Sequence, residues 1–412
     1  MKLKDRKILV YGLGITGIAV VRFLVEQGAR VVAVDDKPLK ELPEALHALD
    51  GGNVEIRGTF SGASIPAGTT FVVPSPGVPP SNPTVREAII KGLAVVSEIE
   101  LAFHYLERPI IAVTGTNGKT TTTQFIGHIL ERWNKRVFVG GKSGTPLISA
   151  AQHDSGLDFL VVEVSSFQLL HINAFHPRIA VLLNMGSDHL DYHGSLEAYR
   201  AAKSRLIENM APGDLVVTNA DNPACEQAVR STAADVMRFS SRLMDQGIFR
   251  SENSLILKND EREEHYAVND LKLPGRHNLE NCMAGIAAAR RCGCPPDTVR
   301  EAMKSFSGLP HRVEYAGSHR GVPWYDDSKG TNGDAVIAAL ESFDEPVVLL
   351  MGGRSKEDDF SRLSEPLRAR ASRLILFGEA APAIQRALGG IVPTTITKKL
   401  GDAVEEALNL AK

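Results

Sequence analysis

Three things are scarce in this chain, and each absence excludes a class of protein. No apolar run approaches the ~20 residues that a membrane helix needs, so a membrane partner is not expected. No charge of one sign accumulates: 46 Lys and Arg stand against 49 Asp and Glu, a net charge of -3, interspersed along the chain. That leaves no electrostatic footprint for nucleic acid, and the expected partners are small molecules. Cysteine is sparse, with four among 412 residues, at 225, 282, 292 and 294. They form no C-x-x-C pair, and Cys292-Gly293-Cys294 is too tight for an ordinary zinc half-site. They read as reduced thiols of a cytoplasmic chain, because Met1 to Lys7 runs straight into an apolar strand with no leader segment. Internal repeats and low-complexity tracts are also lacking.

Length is ample. At 412 residues the chain suggests about three domains of roughly 100–200 residues each. Apolar runs of four to six residues alternate with helical patterns from end to end, the signature of parallel α/β layers. We expect an α/β protein in three blocks: a Rossmann-like block over 1–107, a central phosphate-loop block with a parallel sheet over 108–308, and a second Rossmann-like block over 309–412. In the first, strands over 8–11 and 31–34 flank a helix over 18–27. In the second, a helix over 195–210 follows strands over 159–164 and 179–183.

The most informative stretch is Ile110-Ile111-Ala112-Val113-Thr114-Gly115-Thr116-Asn117-Gly118-Lys119-Thr120-Thr121. A short apolar strand runs into a loop whose Gly118 lets backbone N–H groups approach phosphate oxygens. Lys119 reaches the outer phosphates, and the Thr120 hydroxyl can hold Mg²⁺. The helix that follows points its positive end at the anion. The usual G-x-x-x-x-G-K-[ST] pattern has glycine where this chain has Val113, so the loop is a variant that still predicts a bound nucleoside triphosphate.

Other constellations follow strands, where α/β active sites collect. Gly12-Leu13-Gly14-Ile15-Thr16-Gly17, with Asp35 after the next strand, suits a diphosphate belonging to NAD or equally to a nucleotide-sugar; a purely structural turn is the alternative. Glu163 ends an apolar run and can reach a metal held by the phosphate loop, or else is a salt-bridged surface acid. Asp188 and His189 can ligate or orient a cation, whereas His193 alone reads as a surface residue. Lys203 alone reads as a solvated helix lysine. Asn278 and Asn281 share a helix face by their spacing and can cap the helix or read an adenine edge. In the last block, Arg312, Lys329 and Arg354-Ser355-Lys356 lie in three cationic loops that suit a polyanion.

Taken jointly and in order, Thr114 to Thr123, Glu163-Val164-Ser165-Ser166-Phe167-Gln168, Asp188-His189-Leu190-Asp191, Tyr199 to Lys203, His277-Asn278, Leu309-Pro310-His311-Arg312 and Asp327-Ser328-Lys329 resemble the Mur ligases over the whole length. Gly12 to Gly17 with Asp35, and Ser75-Pro76-Gly77-Val78, look like the branch that adds D-glutamate. The resemblance implies that ATP phosphorylates the L-alanyl carboxylate of UDP-N-acetylmuramoyl-L-alanine and that the amine of D-glutamate attacks the acyl phosphate. It implies that Gly115, Thr116, Asn117, Gly118, Lys119, Thr120 and Thr121 hold ATP together with Asn281, Arg312, Asp327 and Lys329. Gly14, Ile15, Thr16, Asp35, Ser75, Pro76 and Gly77 would hold the UDP-linked substrate, and Lys356 would meet D-glutamate. Two Mg²⁺ sites are implied, on Thr120, Glu163, His189 and Lys203, with Lys203 carbamylated. Lys119, Glu163, His189 and Lys203 would carry the catalysis of a monomeric enzyme. Two departures stand out. Gly141-Lys142-Ser143-Gly144 has lysine where the family has an asparagine, so Lys142 can meet a phosphate but cannot accept a hydrogen bond. The chain also stops at Lys412, before the family's last strand, so an incomplete third domain is expected.

Overall fold

A computed structural model describes residues 1–61, 64–152, 154–260, 262–354 and 359–410. The chain forms two compact units, one of residues 1–249, 257–264 and 284–299, the other of residues 250–256, 265–283 and 300–412.

The first unit holds two parallel sheets. β1 (Lys7–Tyr11), β2 (Arg30–Val34), β3 (Val54–Arg57), β4 (Thr69–Pro74) and β5 (Ala94–Val95) are ordered β3-β2-β1-β4-β5. All four pairings are parallel, and β1 and β2 are buried along nearly their whole length. Burial on both faces is why these strands read as continuous apolar runs and not as alternating ones. The order reverses between β1 and β4, so the crevice beyond their C-terminal ends is the topological switch point. Gly12 follows β1 there, and Ser75 follows β4. The helix after β1 spans Ile15–Glu26, three residues earlier than the sequence suggests, because the glycine turn is tighter than a loop ending at Gly17. Ile15 and Thr16 therefore sit in the first helical turn.

Seven of the nine strands of the second sheet, β6 (Ile110–Thr114), β7 (Val137–Gly141), β8 (Phe159–Glu163), β9 (Ile179–Leu182), β10 (Leu215–Asn219), β11 (Asp235–Ser240) and β12 (Gly247–Ser251), lie in the order β12-β11-β10-β9-β6-β8-β7 and pair in parallel. β6 is central, with Val113 opposite Glu163 of β8 and Val181 of β9. Between the two sheets the chain passes through the helix Glu98–Phe103. Ile99, Leu101 and Ala102 of that helix belong to the same apolar core as Ile8, Val10, Ala112 and Val162.

The second unit has the antiparallel hairpin Glu314–His319 and Val322–Asp326. It also has three parallel strands, Val347–Gly352, Ala371–Phe377 and Thr394–Ile396, with the long strand in the middle. Leu340, Leu363, Leu367, Leu374 and Leu376 form its core. The last helix described is Leu400–Leu410.

Candidate functional site

β6 is fully buried from Ile110 to Thr114, and the chain leaves the sheet only at Gly115. Val113 is still a sheet residue paired on both sides, so no glycine is needed there. Gly118 adopts φ 84°, the left-handed region that favours glycine, and Lys119–Arg132 then runs as a helix. The loop is pinned from the end of β9. Asn184 accepts the Thr116 N–H on its carbonyl at 2.9 Å and the Asn117 N–H on its side chain at 2.8 Å. Thr116 Oγ1 accepts the Gly186 N–H at 2.9 Å and lies 3.1 Å from the Tyr199 hydroxyl. The Lys119 ammonium donates to the carbonyls of Gly115 and Thr116, each at 2.8 Å. Thr120 follows in the first helical turn, and Thr121 is buried behind it.

Four titratable side chains stand on the elements next to this loop. Lys203 is 1% exposed on the helix Leu196–Ser204, and its ammonium donates to the same Gly115 carbonyl at 2.7 Å. Two lysines thus converge on one oxygen. Burial, and next the charge of Lys119, hold the Lys203 pKa well below the usual lysine range, with Asp188 pulling the other way. The reading of Lys203 as a solvated helix lysine is therefore overturned. Its helix ends at Ser204 and passes into a tighter turn, Arg205–Ile207, so it is shorter than the stretch 195–210 suggests. Glu163, at the end of β8, is 1% exposed, and neither carboxylate oxygen has a hydrogen-bond partner among the described residues. Burying an unpaired carboxylate costs several kcal/mol or more, and a hard divalent cation with oxygen ligands removes that cost. The donor set therefore fits Mg²⁺. His189 stands at φ 54°, with Nε2 3.6 Å from Asp188 Oδ2 and its ring edge against Phe167. Lys142 is exposed at the end of β7, its backbone N–H bonded to the Glu163 carbonyl at 2.8 Å.

His193 is not the surface residue its local sequence suggests. Its ring stacks on Phe167, and Nε2 lies 2.9 Å from Ser166 Oγ. Burial, aided by His189 and Lys203, lowers its pKa to about 4. Asn184, Tyr192 and Tyr199 belong to motifs the sequence singles out, but it gives none of them a role of its own. The four-residue step from His189 to His193 was the available signal, since it places both rings on one side of a helical turn.

At the N-terminal switch point the glycine turn is held shut by side chains. Ser75 Oγ donates to the Gly12 carbonyl at 2.6 Å. Asp35 accepts the Leu13 N–H at 2.7 Å on one oxygen and the Lys37 N–H at 3.0 Å on the other. Gly14, Ile15 and Gly77 are exposed at this edge, with Thr16 and Pro76 partly so.

Within the second unit, Asn281 donates to the Asn278 side chain at 3.3 Å, and both are buried on one helix face. Arg312, Asp327 and Lys329 share one pair of loops: Asp327 accepts the Val313 N–H at 3.1 Å, and Lys329 donates its N–H to the His311 carbonyl. Burial raises the Asp327 pKa to about 6, which the Val313 N–H and Arg312 partly offset. Lys356 lies outside the described residues.

Parallel sheets, a phosphate loop, and a buried acid and lysine around it define a nucleotide-binding α/β protein, and its relatives make that class the ATP-dependent ligases. The chain belongs to the Mur ligase family, whose members couple ATP, with Mg²⁺, to the ligation of peptidoglycan precursors. Residues 6–97 match the Mur ligase MurD-like N-terminal domain, 113–289 the Mur ligase middle domain, and 311–412 the Mur ligase glutamate ligase domain. The UDP-N-acetylmuramoylalanine--D-glutamate ligase of Syntrophus aciditrophicus is 45% identical over 412 residues, covering 99% of this chain and 90% of its own. That of Pelobacter propionicus is 39% identical over 411 residues, covering 100% and 92%. Among solved structures, the UDP-N-acetylmuramate-alanine ligase of Thermotoga maritima shares the fold, at 22% identity and a TM-score of 0.59 over 97% of this chain and 92% of its own.

Proposed function

We propose that this chain joins D-glutamate to UDP-N-acetylmuramoyl-L-alanine with ATP. The observation that carries this reading is the convergence of Lys119, Lys203 and Glu163 around the phosphate loop, in a chain 99% of which aligns with a D-glutamate ligase. An L-alanyl carboxylate oxygen attacks the γ-phosphorus, and the bond to ADP breaks. The D-glutamate nitrogen then attacks the carbonyl carbon of the acyl phosphate, loses a proton and expels phosphate. Carboxylate and amine condense poorly in water, so the protein acts mainly by positioning and charge neutralisation.

Gly115 to Thr121 cradle the triphosphate, with Lys119 on its outer oxygens and Lys142 at its edge. Thr120 and Glu163 would hold one Mg²⁺, and His189 with Lys203 a second, supplying charge neutralisation on the phosphates. A lysine held toward its neutral form is suited to carbamylation: the amine adds to CO₂, an N–C bond forms and one proton leaves. The product is an anionic ligand where an ammonium stood. Gly14, Ile15, Thr16, Ser75, Pro76 and Gly77 take the UDP end, with Asp35 shaping that turn. Asn281, Arg312, Asp327 and Lys329 are assigned to the nucleotide, and Lys356 to D-glutamate. We divide the chain at 107 and 308 and read it as a cytoplasmic monomer.

ADP and phosphate release requiring both UDP-N-acetylmuramoyl-L-alanine and D-glutamate is the expected result; release indifferent to either would refute the reading. Lys203→Ala should lose most activity and regain part of it with added short carboxylates. Unchanged activity in that variant would remove Lys203 from the site.

A further inference from the structure

The helix Glu98–Phe103 carries two buried acids with different surroundings. Glu100 is fully used, its carboxylate accepting the N–H groups of Asn173, Ala174 and Phe175 at 2.9, 2.9 and 2.8 Å. Glu98 is half used. Its Oε1 accepts the Ile148 N–H at 2.6 Å, while Oε2 closes no hydrogen bond of normal geometry among the described residues, the Gln168 side chain beside the carboxyl only helping to hold its charge, although Glu98 is 1% exposed. A buried carboxyl oxygen without a partner is costly, and native structures rarely leave one without a reason.

Glu98 lines a crevice together with Ser75, Pro76, Phe167, Gln168 and Tyr192. Its walls come from the two sites described above. Ser75 locks the glycine turn through the Gly12 carbonyl, while Phe167 and Gln168 follow Glu163 of β8 by a few residues, and Phe167 packs against His189. The Tyr192 hydroxyl donates to the Val78 carbonyl at 2.9 Å and ties the walls together. A substrate with its diphosphate at one wall and its reacting carboxylate at the other presents its middle to this crevice. In UDP-N-acetylmuramoyl-L-alanine that middle is the sugar, whose acetamido group offers one N–H donor. An ionised carboxylate accepts hydrogen bonds and donates none.

We propose that Glu98 is a specificity-determining residue whose Oε2 accepts a hydrogen bond from the acetamido N–H of the substrate's sugar, a role that rests on the ligase reading above. A site built around a buried acceptor discriminates against an analogue that lacks the donor, because the acceptor is then left unpaired. Glu98→Gln is the informative substitution. It keeps an oxygen for the Ile148 N–H and turns the other position into a donor facing a donor.

Steady-state kinetics on the alkaline side of about 7, where the buried Glu98 carboxyl is ionised, read the effect. For Glu98→Gln, KM for UDP-N-acetylmuramoyl-L-alanine should rise about tenfold, the effect of about one unmade buried hydrogen bond. kcat and the KM values for ATP and D-glutamate should stay within about twofold of the parent, since only binding of the sugar is changed. With an analogue carrying hydrogen in place of the acetamido group, parent and variant should show the same KM. An unchanged KM in Glu98→Gln, or an equal rise with both substrates, overturns the proposal. If the variant does not fold, the parent protein still decides: the analogue must have a KM about tenfold weaker than the natural substrate, and equal values overturn the assignment. A parent protein that turns over no D-glutamate refutes the ligase reading, whereas turnover with an indifferent Glu98→Gln refutes this inference alone.

Discussion

At the ends of β1 and β6 the chain makes the same move, from a buried apolar strand through a glycine turn into the N-terminus of a helix. What surrounds the two turns differs. Around the first, the acids are already engaged: Asp35 accepts two backbone N–H groups, and Asp36 accepts the Tyr11 hydroxyl at 2.5 Å. Around the second, Glu163 is buried with neither oxygen paired, and Lys119 and Lys203 meet at the Gly115 carbonyl. The same backbone device suits an anion in both places. Charge left uncompensated in the protein marks only the second as a place for chemistry.

The comparison breaks most visibly at the second turn. Lys119→Ala and Glu163→Gln should each lower kcat by about 10²–10³-fold, the usual cost of removing one preorganised charge from a reacting centre. KM for the UDP-linked substrate should hardly change. A variant whose only defect is in that KM would show that the two turns are not separate in function.

A second test lies between the turns, at Glu98. Burial raises its pKa from 4.5 to about 7, with the Ile148 N–H and the Gln168 amide only partly opposing the shift. The native state therefore keeps a proton that the unfolded chain has released. Stability is fully present below about 4.5 and is lost as pH rises to about 7, by on the order of 3 kcal/mol. Glu98→Gln has no such proton, so the unfolding free energy of the parent minus that of the variant should fall across this window. A difference that stays flat with pH would mean that Glu98 is ionised throughout.

The parallel strands and both glycine turns were legible because strands buried on two faces write themselves as apolar runs ending in glycine. Lys203 was legible only through the family resemblance, although a local signal existed. Tyr199, Ala202, Lys203 and Leu206 are spaced as one buried helix face, and all four are buried. Lysine at such a spacing is discounted because buried lysines are rare. No role could be read for Asn184. Its role depends on β9 lying beside β6, a neighbour relation set by sheet order and not by local pattern. Glu98 and Glu100 look alike in Ser97-Glu98-Ile99-Glu100, and only the loops packed against them separate a saturated carboxylate from a half-used one.

The smallest expected effect sharpens the comparison at the first turn. A Cβ added to Gly17 would stand 1.9 Å from the Gly12 carbonyl oxygen and 3.2 Å from Ser75 Oγ. That oxygen is the one Ser75 holds at 2.6 Å, so a methyl group there must either open the turn or expel the serine. Gly17→Ala should cost about 1–3 kcal/mol of stability, as overpacking typically does. It should also raise KM for the UDP-linked substrate, because the helix N-terminus moves with the turn. KM for ATP should not follow, since the phosphate loop is fastened by Asn184 after β9 and by Tyr199 of the helix Leu196–Ser204. Thermal unfolding and the two KM values measured on one preparation decide the matter. A parallel rise in KM for ATP would mean that strain at one turn reaches the other through the shared core.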